Sequence, residues 1–175
     1  MEYPPMKRKL YVQTFRFLFN LMPCIWCGGG RVTHLSEDFT HLIVRLRLQL
    51  RTKNRLGTIY GGSMYSSTDP MYMLMLMEIL GKDFVVWDKG CTIRFKRPAK
   101  TTLFAEFKIT PQMLAGVREA VTRDQETTFT WKAEYKDREG AVYAEFDKVL
   151  YVASKEFYRQ KMAKRKAQKL PGKSA

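Results

Sequence analysis

The segment 64–80 is dominated by apolar side chains. Met64, Met71, Met73, Leu74, Met75, Leu76, Met77, Ile79 and Leu80 leave a helix drawn through it with almost no polar face. Such a helix cannot lie on a surface, because every side would expose apolar area to water, so it must be surrounded by protein. Gly81 follows it as a C-cap. The rest of the 175 residues has to supply the wrapping. A chain of this length suits one domain that buries roughly 70% of its unfolded surface, with no need of a metal or disulfide scaffold. With 45% apolar and 27% charged residues, the composition excludes disorder.

The wrapping is legible as alternation. In 39–50, Leu42, Val44, Leu46, Leu48 and Leu50 share one face while Arg45, Arg47 and Gln49 share the other, and 31–35 is a plausible partner strand. In 84–95 the alternating set is Trp87, Cys91, Ile93 and Phe95. Further runs follow at 103–109, 129–135 and 142–150, with 137–140 as a hairpin loop and 111–121 as a short connection able to be helical. The expected class is α+β, with a curled antiparallel sheet of about six strands around one long central helix. A lone curled sheet leaves edge strands to cover, so at least a homodimer is expected.

Both ends differ from this middle. Residues 1–29 read as an amphipathic helix and a Gly-rich linker, 30–153 as the domain, and 154–175 as a basic helix or tail. In the first segment Phe15, Leu18, Phe19 and Met22 recur at helical spacing until Pro23 and the glycines 28–30. Arg16 and Asn20 interrupt the apolar run, which is too short for a membrane span and lacks a cleavage site. Packing on the domain is the expectation, with peripheral insertion into lipid as its rival. Three cysteines cannot all pair, which points to a reducing compartment, read as the cytoplasm. Cys24 and Cys27 form a CxxC with no second ligand pair, and His34 and His41 are too far apart for a helical metal pair, so no metal is expected. Lys and Arg number 31 against 17 Asp and Glu, a net charge of +14, which predicts anionic company. From Ser154 onward, eight basic residues against Glu156 carry half of that surplus. Ser154 would cap a helix ending near Leu170-Pro171-Gly172. This tail reads as a solvated solubility element, or else as a contact for a polyanion or an acidic membrane.

Residues 54–70, N-R-L-G-T-I-Y-G-G-S-M-Y-S-S-T-D-P, carry the chemistry. Two glycines where a buried helix starts allow close approach to the backbone, and the free N–H groups of a first turn suit an oxyanion or phosphate. An acid seven residues after Gly62, in so apolar a context, calls for a purpose. Asp69 before Pro70 also fits an N-cap of a helix starting at Pro70. If one helix begins at Gly62 instead, Pro70 should kink it beside Asp69.

This spacing resembles the hotdog-fold acyl-CoA thioesterases of the phenylacetate-pathway type, in an uncharacterised branch of that superfamily. Their pattern is Asn, two residues, Gly, two residues, His-Gly-Gly, six residues, then Asp or Glu. Asn54, Gly57, Gly61, Gly62 and Asp69 match it, and Tyr60 stands where His is usual. The resemblance covers about residues 30–152, including I-R-F-K-R-P-A at 93–99. It implies a hydrolase of acyl-CoA or related thioesters with Asp69 as base or nucleophile. The Gly62 N–H would then steady the oxyanion, and Asn54 would orient water or the substrate carbonyl across a dimer interface. It places Tyr60, Gly61 and Ser63 around the substrate of a homodimer or homotetramer, with no cofactor beyond the coenzyme A of the substrate itself. Burial among the methionines would suit Asp69 to accept a proton. Of the basic residues near the third strand (Arg94, Lys96, Arg97, Lys100), Arg97 and Lys100 are the candidates for the coenzyme A phosphates. The methionines read as core or as an adaptable acyl pocket. Two rivals stay open, a non-catalytic acyl-thioester or lipid-binding module, which the Tyr60 departure favours, and a basic adaptor for polyanions.

Overall fold

The structure, a computed structural model, describes residues 5–169. Six strands, β1 (Gly30–Leu35), β2 (His41–Leu46), β3 (Phe84–Phe95), β4 (Leu103–Lys108), β5 (Glu126–Lys136) and β6 (Val142–Ser154), form one sheet in the order β1-β2-β4-β5-β6-β3. All neighbours are antiparallel. The alternation places Leu42, Val44 and Leu46 in the core, as it does Ala144, Phe146, Leu150 and Val152 on β6. Strand β2 stops at Leu46 instead of running to Leu50, which is 90% exposed. The buried Thr52 hydroxyl donates to the Arg47 carbonyl (2.7 Å) and accepts from the Gln49 N–H (3.0 Å), closing a turn that ends the ladder. On β3, a bulge between Asp88 and Gly90 shifts the phase of alternation. Val86 is buried, whereas Trp87 and Phe95 of the expected inward set are exposed.

The central helix comes in two pieces rather than one, α3 (Gly61–Ser66) and α4 (Met71–Leu80). Between them, hydroxyl groups turn back on the helix. Ser67 Oγ donates to the Ser63 carbonyl (2.5 Å) and Thr68 Oγ1 to that of Met64 (3.0 Å). Pro70 has no N–H to continue the ladder. It occupies the N-cap position of α4 with no side-chain cap bond, so Asp69 does not cap the helix. Met71, Tyr72, Met75, Leu76 and Leu80 of α4 are buried, while Met77 reaches solvent. Gly81, at φ 82°, closes α4 through its N–H to the Met77 carbonyl.

Helix α1 (Pro5–Leu21) lies along β1, followed by the short α2 (Pro23–Gly28). Its buried face is Val12 and Phe19 with Phe15, which meets Phe39 edge-on at 5.3 Å. Leu18 and Met22, expected on that face, are exposed. The rotation follows from the polar interruptions. The Asn20 amide accepts from the Val32 N–H (2.8 Å) and donates to the Val32 carbonyl (2.9 Å), and Arg16 donates to the Thr33 carbonyl (3.0 Å). These residues thus cover the β1 edge. The glycines at 28–30 are no loose linker. A Cβ on Gly28 would lie 2.4 Å from Ser66 Oγ, and one on Gly30 2.4 Å from Ser67 Cβ, so the stretch packs on the break in the central helix.

Helix α5 (Pro111–Asp124) is capped by Thr110, whose hydroxyl accepts from the Met113 N–H (3.2 Å). Helix α6 (Lys155–Lys169) starts at Ser154, which accepts from the Phe157 N–H (3.4 Å). Its expected end at Leu170-Pro171-Gly172 lies outside the described residues, as does Lys173. Among the described residues no helix is long and apolar enough to cross a membrane.

Candidate active site

Asn54 organises the loop that leads to α3. Its Oδ1 accepts from the N–H groups of Leu56 (3.0 Å) and Thr58 (3.1 Å), and its Nδ2 donates to Thr58 Oγ1 (2.8 Å). Gly57 turns the loop at φ 75°. Helix α3 then starts at Gly61, and the N–H groups of Gly61 and Gly62 meet no acceptor among the described residues. The two glycines make room for aromatic rings. A Cβ on Gly61 would come within 2.6 Å of the Phe95 ring, and one on Gly62 within 2.2 Å of the Tyr60 ring. Ser63 is buried beneath this turn.

A cleft of about 590 Å³ opens beside the start of α3. It brings together Asn54, Gly61, Arg97 and Lys100 of the sequence-derived candidates, with Ile59, Met64, Phe95 and Pro98 as its apolar lining. Tyr60, Gly62, Ser63 and Asp69 do not line it. The basic residues divide by partner. Arg94 pairs with Asp147 (2.8 Å) and Lys96 with Glu145 (3.0 Å). Arg97 and Lys100 have no acid partner among the described residues, Arg97 resting 5.6 Å over the Tyr143 ring.

Asp69 sits at the break between α3 and α4, and its surroundings are ionic rather than the expected methionine enclosure. Lys148 Nζ donates to its Oδ1 at 2.9 Å, with the lysine side chain 1% and the aspartate 43% exposed. The same ammonium lies 3.4 Å from Asp88 Oδ1. Both oxygens of Asp88 are buried without a hydrogen-bond partner among the described residues. Burial, only partly offset by Lys148 and reinforced by the charge of Asp69, pushes the Asp88 carboxyl up to about 6. Burial would push the Lys148 ammonium down, but the hydrogen bond to Asp69 and the charges of Asp88 and Asp69 outweigh it and raise its pKa. Burial and then Asp69 also raise the Tyr65 phenol, whose ring lies 5.8 Å from Lys148 Nζ. Cys91 is the cross-strand partner of Lys148. Asp69, the buried Lys148 ammonium and the buried Asp88 carboxyl thus meet at the break, a cluster of charged groups of the kind that marks a candidate functional site.

Lys148 and Asp88 were absent from the sequence-derived candidates. Lys148 was detectable, for it falls in the inward phase of 142–152 among Ala144, Phe146, Leu150 and Val152, and a charge at such a position is rare unless paired. Asp88 was hidden by the bulge, which reassigns its face. His34 and His41 meet across β1 and β2, their ring centroids 4.7 Å apart. No group of three or more ligating side chains able to hold a metal occurs among the described residues.

The fold recurs in proteins of known structure. PA5026 from Pseudomonas aeruginosa, a protein of unknown function described as a probable thioesterase, matches with a TM-score of 0.71 at 18% identity, over 88% of this chain and 98% of that one. Thioesterase HI1161 from Haemophilus influenzae matches at 0.60 and 13% identity, over 82% and 90%. The PaaI protein of the E. coli phenylacetic acid degradation operon matches at 0.55 and 17%, over 81% and 91%. At these identities the likeness shows the fold, a hotdog fold. No curated protein matches the sequence. A family model of a domain of unknown function, DUF4442, covers residues 13–152, from within α1 to near the end of β6, and the chain belongs to that family.

Proposed function

We propose that the chain hydrolyses acyl thioesters of the acyl-CoA type. The observation that carries this reading is the 590 Å³ cleft, which has an apolar lining and two cations, Arg97 and Lys100, that no acid neutralises among the described residues. The lining would take the acyl or pantetheine chain. Arg97 and Lys100 would take phosphates, the arginine fork holding two oxygens at once. The Gly62 N–H would steady the oxyanion. Asp69, with Oδ1 fixed by Lys148, would take a proton from the attacking water and return it to the leaving thiolate, or attack the carbonyl itself. Asn54, its amide already engaged in the loop, would hold the cleft wall. Coenzyme A would enter as part of the substrate, and the residues named need no other cofactor.

Asp69 and the cleft are separate features of one protomer, which favours a homodimer, or a tetramer built from it. Edge strand β3 is twelve residues long and exposes Trp87 and Phe95. Pairing it with a second copy would cover both and set Asp69 toward the cleft of the partner. One observation favours a second reading, an acyl-thioester or lipid-binding module without turnover: the Tyr60 ring lies over the Gly62 turn where an oxyanion would have to approach. The exposed Lys164, Arg165 and Lys166 of α6 are the residues a polyanion adaptor would use.

A thiol-release assay over acyl-CoAs of graded length, run on the native protein beside Asp69→Asn, tests these readings. Hydrolysis that falls at least about a hundredfold in Asp69→Asn, with the fold intact, supports the enzyme. Substrate bound but not cleaved by the native protein supports the module. Full turnover in Asp69→Asn removes that residue from the mechanism.

A further inference from the structure

A second cleft, of about 310 Å³, opens where α1, α2 and the first two strands meet. Arg31, Arg45, Arg47 and Arg51 line it with Phe17, Leu21 and Trp26, and no acidic residue does. Among the described residues the ion pairs involve other side chains, so these four charges are uncompensated. Arg31 and Arg45 are direct cross-strand partners, a like-charge pair that is unfavourable until an anion relieves it. Arg51 lies 4.5 Å over the Trp26 ring, which holds its guanidinium at the cleft.

The apolar side of this face is equally unused by the fold. Phe17, Leu21 and Trp26 are 63, 57 and 55% exposed, and Leu18 and Met22 beside them are exposed as well. Helix α1 meets the core with Val12, Phe15 and Phe19. A contiguous exposed apolar patch of this kind marks a site of interaction.

Charge decides the occupant. A second copy in a two-fold contact would set one group of arginines against the other. A nucleic-acid strand would stack on Trp26 and Phe17 but leave Leu18, Leu21 and Met22 in water. A bilayer rich in anionic phospholipid answers both halves of the face. The aliphatic side chains and Trp26 enter the boundary between headgroups and acyl chains, while the guanidinium groups take headgroup phosphates. We propose that the face formed by α1, α2 and the β1–β2 edge docks the protein on an anionic phospholipid surface.

Vesicle flotation of the full chain tests it, with phosphatidylcholine alone against phosphatidylcholine mixed with phosphatidylserine. The expected result is binding to the mixed vesicles only, weakening as salt is raised. Arg31→Glu with Arg47→Glu, both exposed positions, should weaken it on the order of a hundredfold. Phe17→Ser with Leu21→Ser should weaken it while keeping the salt dependence. Brominated lipid should quench tryptophan fluorescence in the native protein and much less in Trp26→Phe. Equal binding to neutral vesicles overturns the proposal, as does undiminished binding by the double arginine variant. So does loss of binding only when Lys164, Arg165 and Lys166 are changed to Glu, or capture of a single-stranded oligonucleotide without capture of vesicles.

Discussion

Lys148 is sealed in the sheet wall with its ammonium 2.9 Å from Asp69 Oδ1, so the acid at the break between α3 and α4 is held by a charge that has no access to water. Removing that charge leaves Asp69 and Asp88 facing each other unpaired. Lys148→Met should cost about 3 kcal/mol, the low end for a broken buried pair because Asp69 is 43% exposed and partly screened. Urea unfolding at neutral pH measures it, and a loss below about 1 kcal/mol would mean that the pair is idle. The raised pKa of Lys148 fixes the sign with pH. Its stabilisation is fully present below the ordinary lysine value and is lost as pH rises through the folded one, so the native protein should lose more stability above roughly pH 10 than Lys148→Met does.

Asp88 has the opposite balance. Its folded pKa, about 6, is above the ordinary 3.8, so the folded state binds the proton more tightly than the unfolded chain. Stability therefore falls as pH rises from about 4 to about 6 and stays reduced above it. The displacement corresponds to roughly 3 kcal/mol. Asp88→Asn keeps the shape without the charge and should be more stable than the native protein at pH 8, with the difference vanishing near pH 4. Melting temperatures at the two pH values decide it, and a variant less stable at pH 8 would show that the attraction of Lys148 outweighs burial.

The fully buried Tyr135 hydroxyl lies 2.7 Å from Ser67 Oγ. Ser67 spends its own proton on the carbonyl of Ser63, so the phenol is the donor. Tyr135→Phe deletes that donor while keeping the ring against Phe146. The expected loss is about 1 to 2 kcal/mol by denaturant titration. The amide of Ser67, whose segment the phenol ties to the sheet, should exchange hydrogen faster. Unchanged exchange there would show that the break holds without the phenol.

Much of this was legible from residue patterns. Period-two alternation located the strands because each has one face in the core, and the Ser154 and Gly81 caps followed from local chemistry. What escaped is what non-local pairing decides. The β3 bulge moved Trp87 outward and Asp88 inward, and Asn20 found its partner on a strand twelve residues ahead, turning Leu18 and Met22 to solvent. The motif at 54–69 marked the start of the buried helix and the acid. It could not show Lys148, which arrives from the last strand 79 residues after Asp69.

Glycine 30 is where the packing of the break can be probed most directly. A Cβ there would stand 2.4 Å from Ser67 Cβ and 3.2 Å from Ser67 Cα, atoms with no flexible end to swing aside. The backbone of β1 or of the helix break must therefore shift, and Gly30→Ala should destabilise by about 2 kcal/mol or more, as overpacking does. Gly116, inside α5, has open space around its Cβ position. Gly116→Ala should instead stabilise by roughly 0.5 to 1 kcal/mol through helix propensity and a less flexible unfolded chain. Because the same substitution carries opposite signs at the two sites, a generic effect of removing glycine cannot produce the pattern. Gly30→Ala as stable as the native protein by thermal and urea unfolding would mean that β1 and the Ser67 turn are not in contact.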